Sequence, residues 1–243
     1  MDKKAYIVYK DVRVPLKLKR EWRTSVRYSI SKKSVNLTVP KYYTRDQLVD
    51  EYHKINDWAS QQFVKNPDML ERFIPRRYAD QERFKIYGSD FTLHLRKDDR
   101  KGLSGVIEED RVIITSPQEL SEADTNHSIG TLLSRLVSKH FHPDVEARVM
   151  QYNDQYFQEE VKAVRLKNNQ SNWGSCSTNK YINLSSRLLF APRDVMDYVI
   201  VHELSHLKEM NHSSRFWNIV ESVMPDYKSK DAWLTNHGHQ LKF

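Results

Sequence analysis

Residues 202 to 206 read His-Glu-Leu-Ser-His, and no other stretch restricts the fold as strongly. On an α-helix, histidines at i and i+4 stand on one face a turn apart, the spacing from which two imidazoles ligate one tetrahedral metal ion. With 10 His and 14 Glu in 243 residues, the pattern arises by chance in roughly two such sequences per hundred. Its neighbours must therefore support it. Pro192 suits a first helical turn, Asp194 complements the helix dipole and Asn211 suits a C-terminal stop, which together predict a helix over 192–210. At about 100° per residue, Val195, Met196, Val199, Ile200, Leu204, Leu207 and Met210 share one arc, and Asp194, Asp197, Ser205 and Lys208 the opposite one. Glu203 projects into the apolar arc with His202 and His206 at its edge. A carboxylate placed there is costly unless something compensates, and a water activated by a metal ion is the natural compensation. The alternative, a structural Glu with two hydrogen-bonded core histidines, has to explain three polar residues on a face that otherwise excludes them.

The chain has one cysteine, Cys176. That rules out a thiolate-rich metal site, so any metal must sit on His, Asp or Glu. His212, six residues after His206, is the foremost third ligand, because a sharp turn at Asn211 would swing it back over the helix end. Glu221 and Asp226 are the alternatives, and His237 and His239 are more remote. Glu203, beside His202 in the chain, is badly placed to bind the same ion and suits a general base. Cys176 is either a thiolate that closes the metal's open position or a small buried hydrophobe. Tyr198, one turn before His202, is either an oxyanion donor or a packing residue. Phe216, Trp217, Ile219, Val220 and Val223 repeat at helical spacing after Ser213 or Ser214, which predicts a core helix against the metal helix.

The rest of the chain is globular in composition: 39% hydrophobic, with only 6 Gly and 8 Pro. No run approaches the ~18 apolar residues of a membrane span, and the N-terminus lacks the apolar core of a signal peptide, so a cytoplasmic protein with no membrane association is expected. The net charge of +7 is uneven. Residues 1–40 hold eleven Lys or Arg against three acids, hence +8 there and −1 elsewhere. This is either a weak polyanion-binding surface or the solvated face of strands, and the dispersion of the charges among strand residues favours the second. Alternation of Val26, Tyr28 and Ile30 and of Val35, Leu37 and Val39 around SKKS predicts a hairpin within an N-terminal β-meander. A helix follows, opened by a Thr44-x-x-Gln47 capping box. Strands are expected at 84–86, 91–95, 112–114 and 160–166, and helices over 129–137 and 143–157. Residues 101–127 look linker-like, which puts a soft boundary between a β-rich region, 1–120, and a catalytic region, 121–243. No internal repeat is visible in the sequence.

Three segments carry a family resemblance: NWGSCS from Asn172 to Ser177, INLSSRLLFAPRDVMDYVIVHELSHLKEMNHSSRFW from Ile182 to Trp217, and PDYKSKDAWLTNHG from Pro225 to Gly238. They resemble the YgjP-like metal-dependent hydrolases, relatives of the SprT-like and Wss1-like metalloproteases of the zincin fold. The likeness is dense over about residues 160–243 and loose before. It implies an α+β, zincin-like fold with a β-rich N-terminal half, zinc on His202, His206 and His212, and Glu203 as general base. One departure is Asn172, where the family usually has arginine. Some members are described as peptidases and others as nucleoside triphosphate pyrophosphatases. The first expectation is thus a zinc metallopeptidase acting on peptides, with a short strand beside the metal helix pairing with extended substrate. The second is a UTP-type nucleotide pyrophosphatase in which Arg165, Lys167, Arg187 and Arg215 face phosphates. The third is a nucleic-acid-associated protein with a non-catalytic metal site.

Overall fold

Apolar residues at every second position in the first 117 residues build two four-stranded sheets of the same connectivity. The computed structural model describes residues 5–31, 33–99, 101–119 and 122–243, so Asp2, Lys3, Lys4 and Lys32 of the basic N-terminus lie outside the described residues. The chain forms two compact units, Met1–Pro75 and Arg76–Phe243. In the first, β1 (Ala5–Tyr9), β2 (Val12–Glu21), β3 (Arg27–Ile30) and β4 (Val35–Pro40) lie in the order β1-β2-β4-β3. In the second, β5 (Arg83–Ile86), β6 (Ser89–Asp98), β7 (Ser104–Glu108) and β8 (Arg111–Pro117) lie in the order β5-β6-β8-β7. The first sheet keeps the expected β3–β4 hairpin but is not the meander expected of the N-terminus: β4 runs parallel to β2 and separates it from β3.

The two sheets repeat residue by residue at an offset of 77. Leu16 opposite Val35 recurs as Leu93 opposite Val112, and Arg27 opposite Thr38 as Ser104 opposite Thr115. The first hairpin of each turns through two residues of positive φ, Lys10 (46°) and Asp11 (64°), then Tyr87 (51°) and Gly88 (83°), as the twist of a two-residue turn demands. A helix follows each sheet in the same frame: α1 (Arg45–Lys65) and α3 (Glu122–Tyr152) also start 77 residues apart. The repeat escapes sequence reading because the matched positions share side-chain direction and rarely identity.

Within the first unit the inner sheet face (Ile7, Val14, Val35, Leu37, Val39) packs on Ile55, Ala59 and Phe63 of α1. The Thr44–Gln47 capping box is present, and a short α2 (Pro67–Glu71) follows. In the second unit Phe91, Leu93, Val112 and Ile114 enter one core with Ile129, Leu133, Val137 and Phe141 of α3 and with the metal helix. That shared core is why the chain divides at Pro75 and not near residue 120. It also explains β7, read as linker from its Gly and Ser: a Cβ on Gly105 would stand 2.7 Å from Leu136 Cδ1, so the glycine admits α3 against the strand. Helices 129–137 and 143–157 are one helix. Its buried stripe, Ile129 through Val145 and Val149 at four-residue steps, runs on across Pro143, because packing along a continuous face outweighs one lost hydrogen bond. A π-helical turn, 153–157, ends it.

The remaining sheet holds β9 (Ala163–Lys167), β10 (Gly174–Cys176) and β11 (Tyr181–Ser185), with β11 central, parallel to β9 and antiparallel to β10. A 3-10 turn, Ser186–Phe190, leads into α4 (Arg193–Ser205), which packs on β10 and β11. Two more helices, α5 (Ser214–Val223) and α6 (Tyr227–His237), close over α4.

Candidate metal centre

The metal helix α4 is shorter than the 192–210 its sequence predicts. Regular helix ends at Ser205, and the next turn tightens, with Leu207 donating to Leu204 O (3.0 Å) and Lys208 to Ser205 O (3.1 Å). The His206 ring helps to close that turn: its Nδ1 lies 3.1 Å from the Glu209 carbonyl, and since a carbonyl only accepts, Nδ1 carries the proton and Nε2 keeps its lone pair. Met210, assigned to the apolar arc, is instead 51% exposed beyond the helix end. At the other end Asp194 accepts from Val195 N (3.0 Å) and pairs with Lys230 of α6 (2.5 Å).

After the turn, Asn211 accepts from Ser213 N (3.2 Å), and Ser213 caps α5 through Phe216 N (3.4 Å). This brings His212 back over the helix, its Nε2 3.0 Å from His202 Nε2. Ligand nitrogens of His202, His206 and His212 all lie within 4.8 Å of one another, the one group of three metal-ligating side chains found among the described residues. Phe216, fully buried, is the floor beneath all three, its ring 4.9, 4.5 and 4.8 Å from those of His202, His206 and His212. Trp217 stacks on His212 on one side and Tyr227 on the other.

Burial, then the neighbouring His206 and His212, pushes the His202 pKa down to about 3, and burial lowers that of His206 too. Both rings are therefore neutral near pH 7 and offer lone pairs, as a metal requires. The donor set fits one cation of borderline softness that accepts imidazole, with Glu203 alongside.

Glu203 is 4% exposed and its Oε2 has no hydrogen-bond partner. Burial pushes its pKa up to about 8, against the opposing pull of the Cys176 backbone N–H. It lies over β10, against Gly174. β10 pairs on one side only, with β11. Ser175 and its neighbours Trp173 and Ser177 bond toward β11, so Gly174 and Cys176 point their backbone groups outward. Asn172 donates to Gly174 O (2.9 Å).

The other sequence candidates lie elsewhere. Glu221 pairs with Lys228 (4.0 Å) and Asp226 with Lys230 (3.3 Å). His237 lies against Trp233, its Nδ1 3.0 Å from that residue's carbonyl; neither it nor His239 joins the triad. Burial and the facing Glu203 push the Cys176 thiol up to about 11, and its Sγ donates toward Ser177 O (3.7 Å). Tyr198 is buried, with its hydroxyl 3.1 Å from Asp231 Oδ1. Arg187 is buried too: it donates to the carbonyls of Leu241 (2.5 Å) and Gly238 (2.7 Å) and stacks on Trp173 at 4.2 Å. Sequence reasoning missed Gly174 under Glu203 and the Glu209 carbonyl behind His206, both backbone features with no side-chain signal.

An H-E-x-x-H helix with a buried glutamate, its two histidines converging with His212 from beyond the helix end, is the donor arrangement of metal-dependent hydrolases. The chain belongs to the YgjP-like family, described as "YgjP-like, metallopeptidase domain", which matches residues 24–237. Among solved structures it is similar to the metallopeptidase zymogen abylysin of Pyrococcus abyssi (28% identity, 37% of this chain, 91% of that one, TM-score 0.34). It is also similar to the zymogen jannalysin of Methanocaldococcus jannaschii (18% identity, 37% and 92%, TM-score 0.34). No curated protein matches the chain. Among the described residues no helix is long and apolar enough to cross a membrane.

Proposed function

We propose that the protein is a zinc metallopeptidase in which His202, His206 and His212 hold the ion and Glu203 is the general base. The observation that carries this is the convergence of the three histidine nitrogens together with the buried, unpartnered Oε2 of Glu203, the residue next to His202 on α4. Zinc held there supplies Lewis-acid polarisation of the scissile carbonyl and acidifies water to a pKa of about 7. Glu203 takes the proton of the attacking water on Oε2 and delivers it to the leaving amine. His206 is held in the ligating tautomer by the Glu209 carbonyl, and Phe216 keeps water from the back of the rings. The outward Gly174 N–H and Cys176 carbonyl offer an extended peptide main-chain partners on β10, next to the Gly174 O and Cys176 N–H that Asn172 and Glu203 occupy.

The nucleotide alternative relied on four cations. Arg187 is committed to carbonyls, Arg165 lies over the Tyr181 ring at 4.4 Å, Lys167 is exposed at the end of β9, and Arg215 is an exposed side chain near Glu209 (3.9 Å). Peptide hydrolysis is the better-supported reading. The test is metal analysis plus a screen of peptides and nucleoside triphosphates, wild type beside Glu203→Gln. Zinc near one equivalent in both proteins is expected, with peptide turnover at least about a hundredfold lower in the variant. Equal turnover in the two would defeat the mechanism.

A further inference from the structure

The repeated sheets allow one to serve as the internal control for the other. In the first, Ile7, Val14, Val35, Leu37 and Val39 face α1, so the alternate residues of each strand face outward. They include Arg13, Lys17 and Lys19 of β2 and Arg27 of β3, all exposed. Lys19 and Arg27 flank Thr38 on neighbouring strands, in one row across the sheet. None of these four cations has an ion-pair partner among the described residues, and Glu21, at the strand end near Arg23, is the one carboxylate facing the same way on the four strands.

At the positions 77 residues on, the second sheet carries Asp90, His94, Arg96 and Ser104. That face also carries Arg83, Lys85 and Arg111, but its four cations stand against Asp90, Asp98 and Glu108, with Lys85 near Asp90 (3.9 Å) and Arg111 near Glu108 (4.0 Å). What distinguishes the first copy is four cations against the single carboxylate of Glu21. Exposed aromatic residues follow the ends of β2 and β4, at the rim of the sheet. Trp22 is 83% exposed and Tyr42 64%, where the second copy has Asp99 and Glu119. The Lys41 ammonium sits 4.6 Å from the Trp22 ring, and Arg20 fixes the loop by donating to Lys41 O (3.3 Å) and Tyr43 O (3.2 Å).

We propose that the outward face of the first sheet, together with the exposed Trp22 and Tyr42 at its rim, binds single-stranded nucleic acid. The row of cations neutralises phosphates, and an exposed indole and phenol stack on unpaired bases, which a duplex would keep hidden. Such a site is independent of the metal centre and survives whether or not Glu203 acts as a base.

The experiment is fluorescence anisotropy of the full chain with labelled twenty-nucleotide oligo-dT and oligo-U, a twenty-base-pair duplex, and phosphatidylserine vesicles. About four phosphate contacts predict an affinity for the single strands roughly fiftyfold weaker at 200 mM than at 50 mM salt. Lys17→Glu/Lys19→Glu/Arg27→Glu is expected to lose more than tenfold in affinity and flatten the salt slope. Trp22→Ala is expected to lose about fivefold or more with the slope unchanged. Arg96→Glu, the second-sheet counterpart of Lys19, and Glu203→Gln are expected to bind as wild type. Circular dichroism checks folding, and Lys19→Gln with Trp22→Ala replaces the triple variant if that fails to fold. Wild-type affinity in those variants overturns the proposal, as does equal affinity for the duplex with no effect of Trp22→Ala. Binding to vesicles without binding to either oligonucleotide overturns it as well.

Discussion

The Glu203 carboxyl group fills the space that a side chain on Gly174 would need: a Cβ there would stand 2.4 Å from Oε1 and 2.7 Å from Cγ. Strand β10 and helix α4 approach this closely because one of them has no side chain at the contact. The glycine thereby sets where the candidate base points.

Gly174→Ala is accordingly expected to push Glu203 off its position while leaving the three histidines in place. Zinc content unchanged, with turnover lower by about tenfold to a hundredfold, is the expected result. Loss of metal together with activity would show that the strand supports the triad and not the base.

The third ligand can be read by elemental analysis. His212→Ala is expected to lower zinc affinity sharply, and Glu221→Ala to leave it unchanged, because Glu221 lies against Lys228 and the His212 nitrogen faces His202. The reverse pattern would move the third ligand to the later helix.

Phe216 is fully buried under the triad. Phe216→Ala is expected to cost about 3–5 kcal/mol in urea denaturation and to weaken zinc binding. Phe216→Leu, which refills much of the volume, is expected to recover most of both.

Stability at low pH depends on Glu51. Burial by itself would raise its carboxyl, yet hydrogen bonds from Lys54 (2.8 Å) and Tyr28 hold it below the ordinary 4.5. A carboxylate with a depressed folded pKa adds stability above its unfolded pKa and loses it as pH falls through the folded value. Protection factors against hydrogen exchange at β4 and α1, referred to intrinsic rates at each pH, are expected to fall below about pH 4.5 in the wild type, and this acid step to shrink in Glu51→Gln.

Arg187 joins the loop at 169–170 to the C-terminal segment. Arg187→Met would leave two buried carbonyls without donors, and a loss of about 2–5 kcal/mol is expected from thermal or urea unfolding. A change in nucleotide KM at unaltered stability would instead favour the phosphate-facing role.

Local rules made much of this protein legible from its sequence. The i, i+4 histidines, the Thr44–Gln47 cap and the alternation around residues 26–39 are each written within a few residues, where backbone geometry alone relates the side chains. Even His212 follows from a turn six residues long. What the sequence could not reveal depends on contacts between distant segments. Whether Pro143 breaks a helix was decided by the core along Val137, Phe141 and Val145. Whether Gly105 belongs to a linker was decided by Leu136, and the role of Arg187 by carbonyls more than fifty residues away. The 77-residue repeat is held in strand register and side-chain direction, which many residue types satisfy equally. That His202, His206 and His212 come together follows from spacing along the chain, because they are near neighbours in it; the Phe216 floor, the contact of Gly174 with Glu203 and the exposure of the first sheet's cations follow only from which surfaces meet when the chain folds.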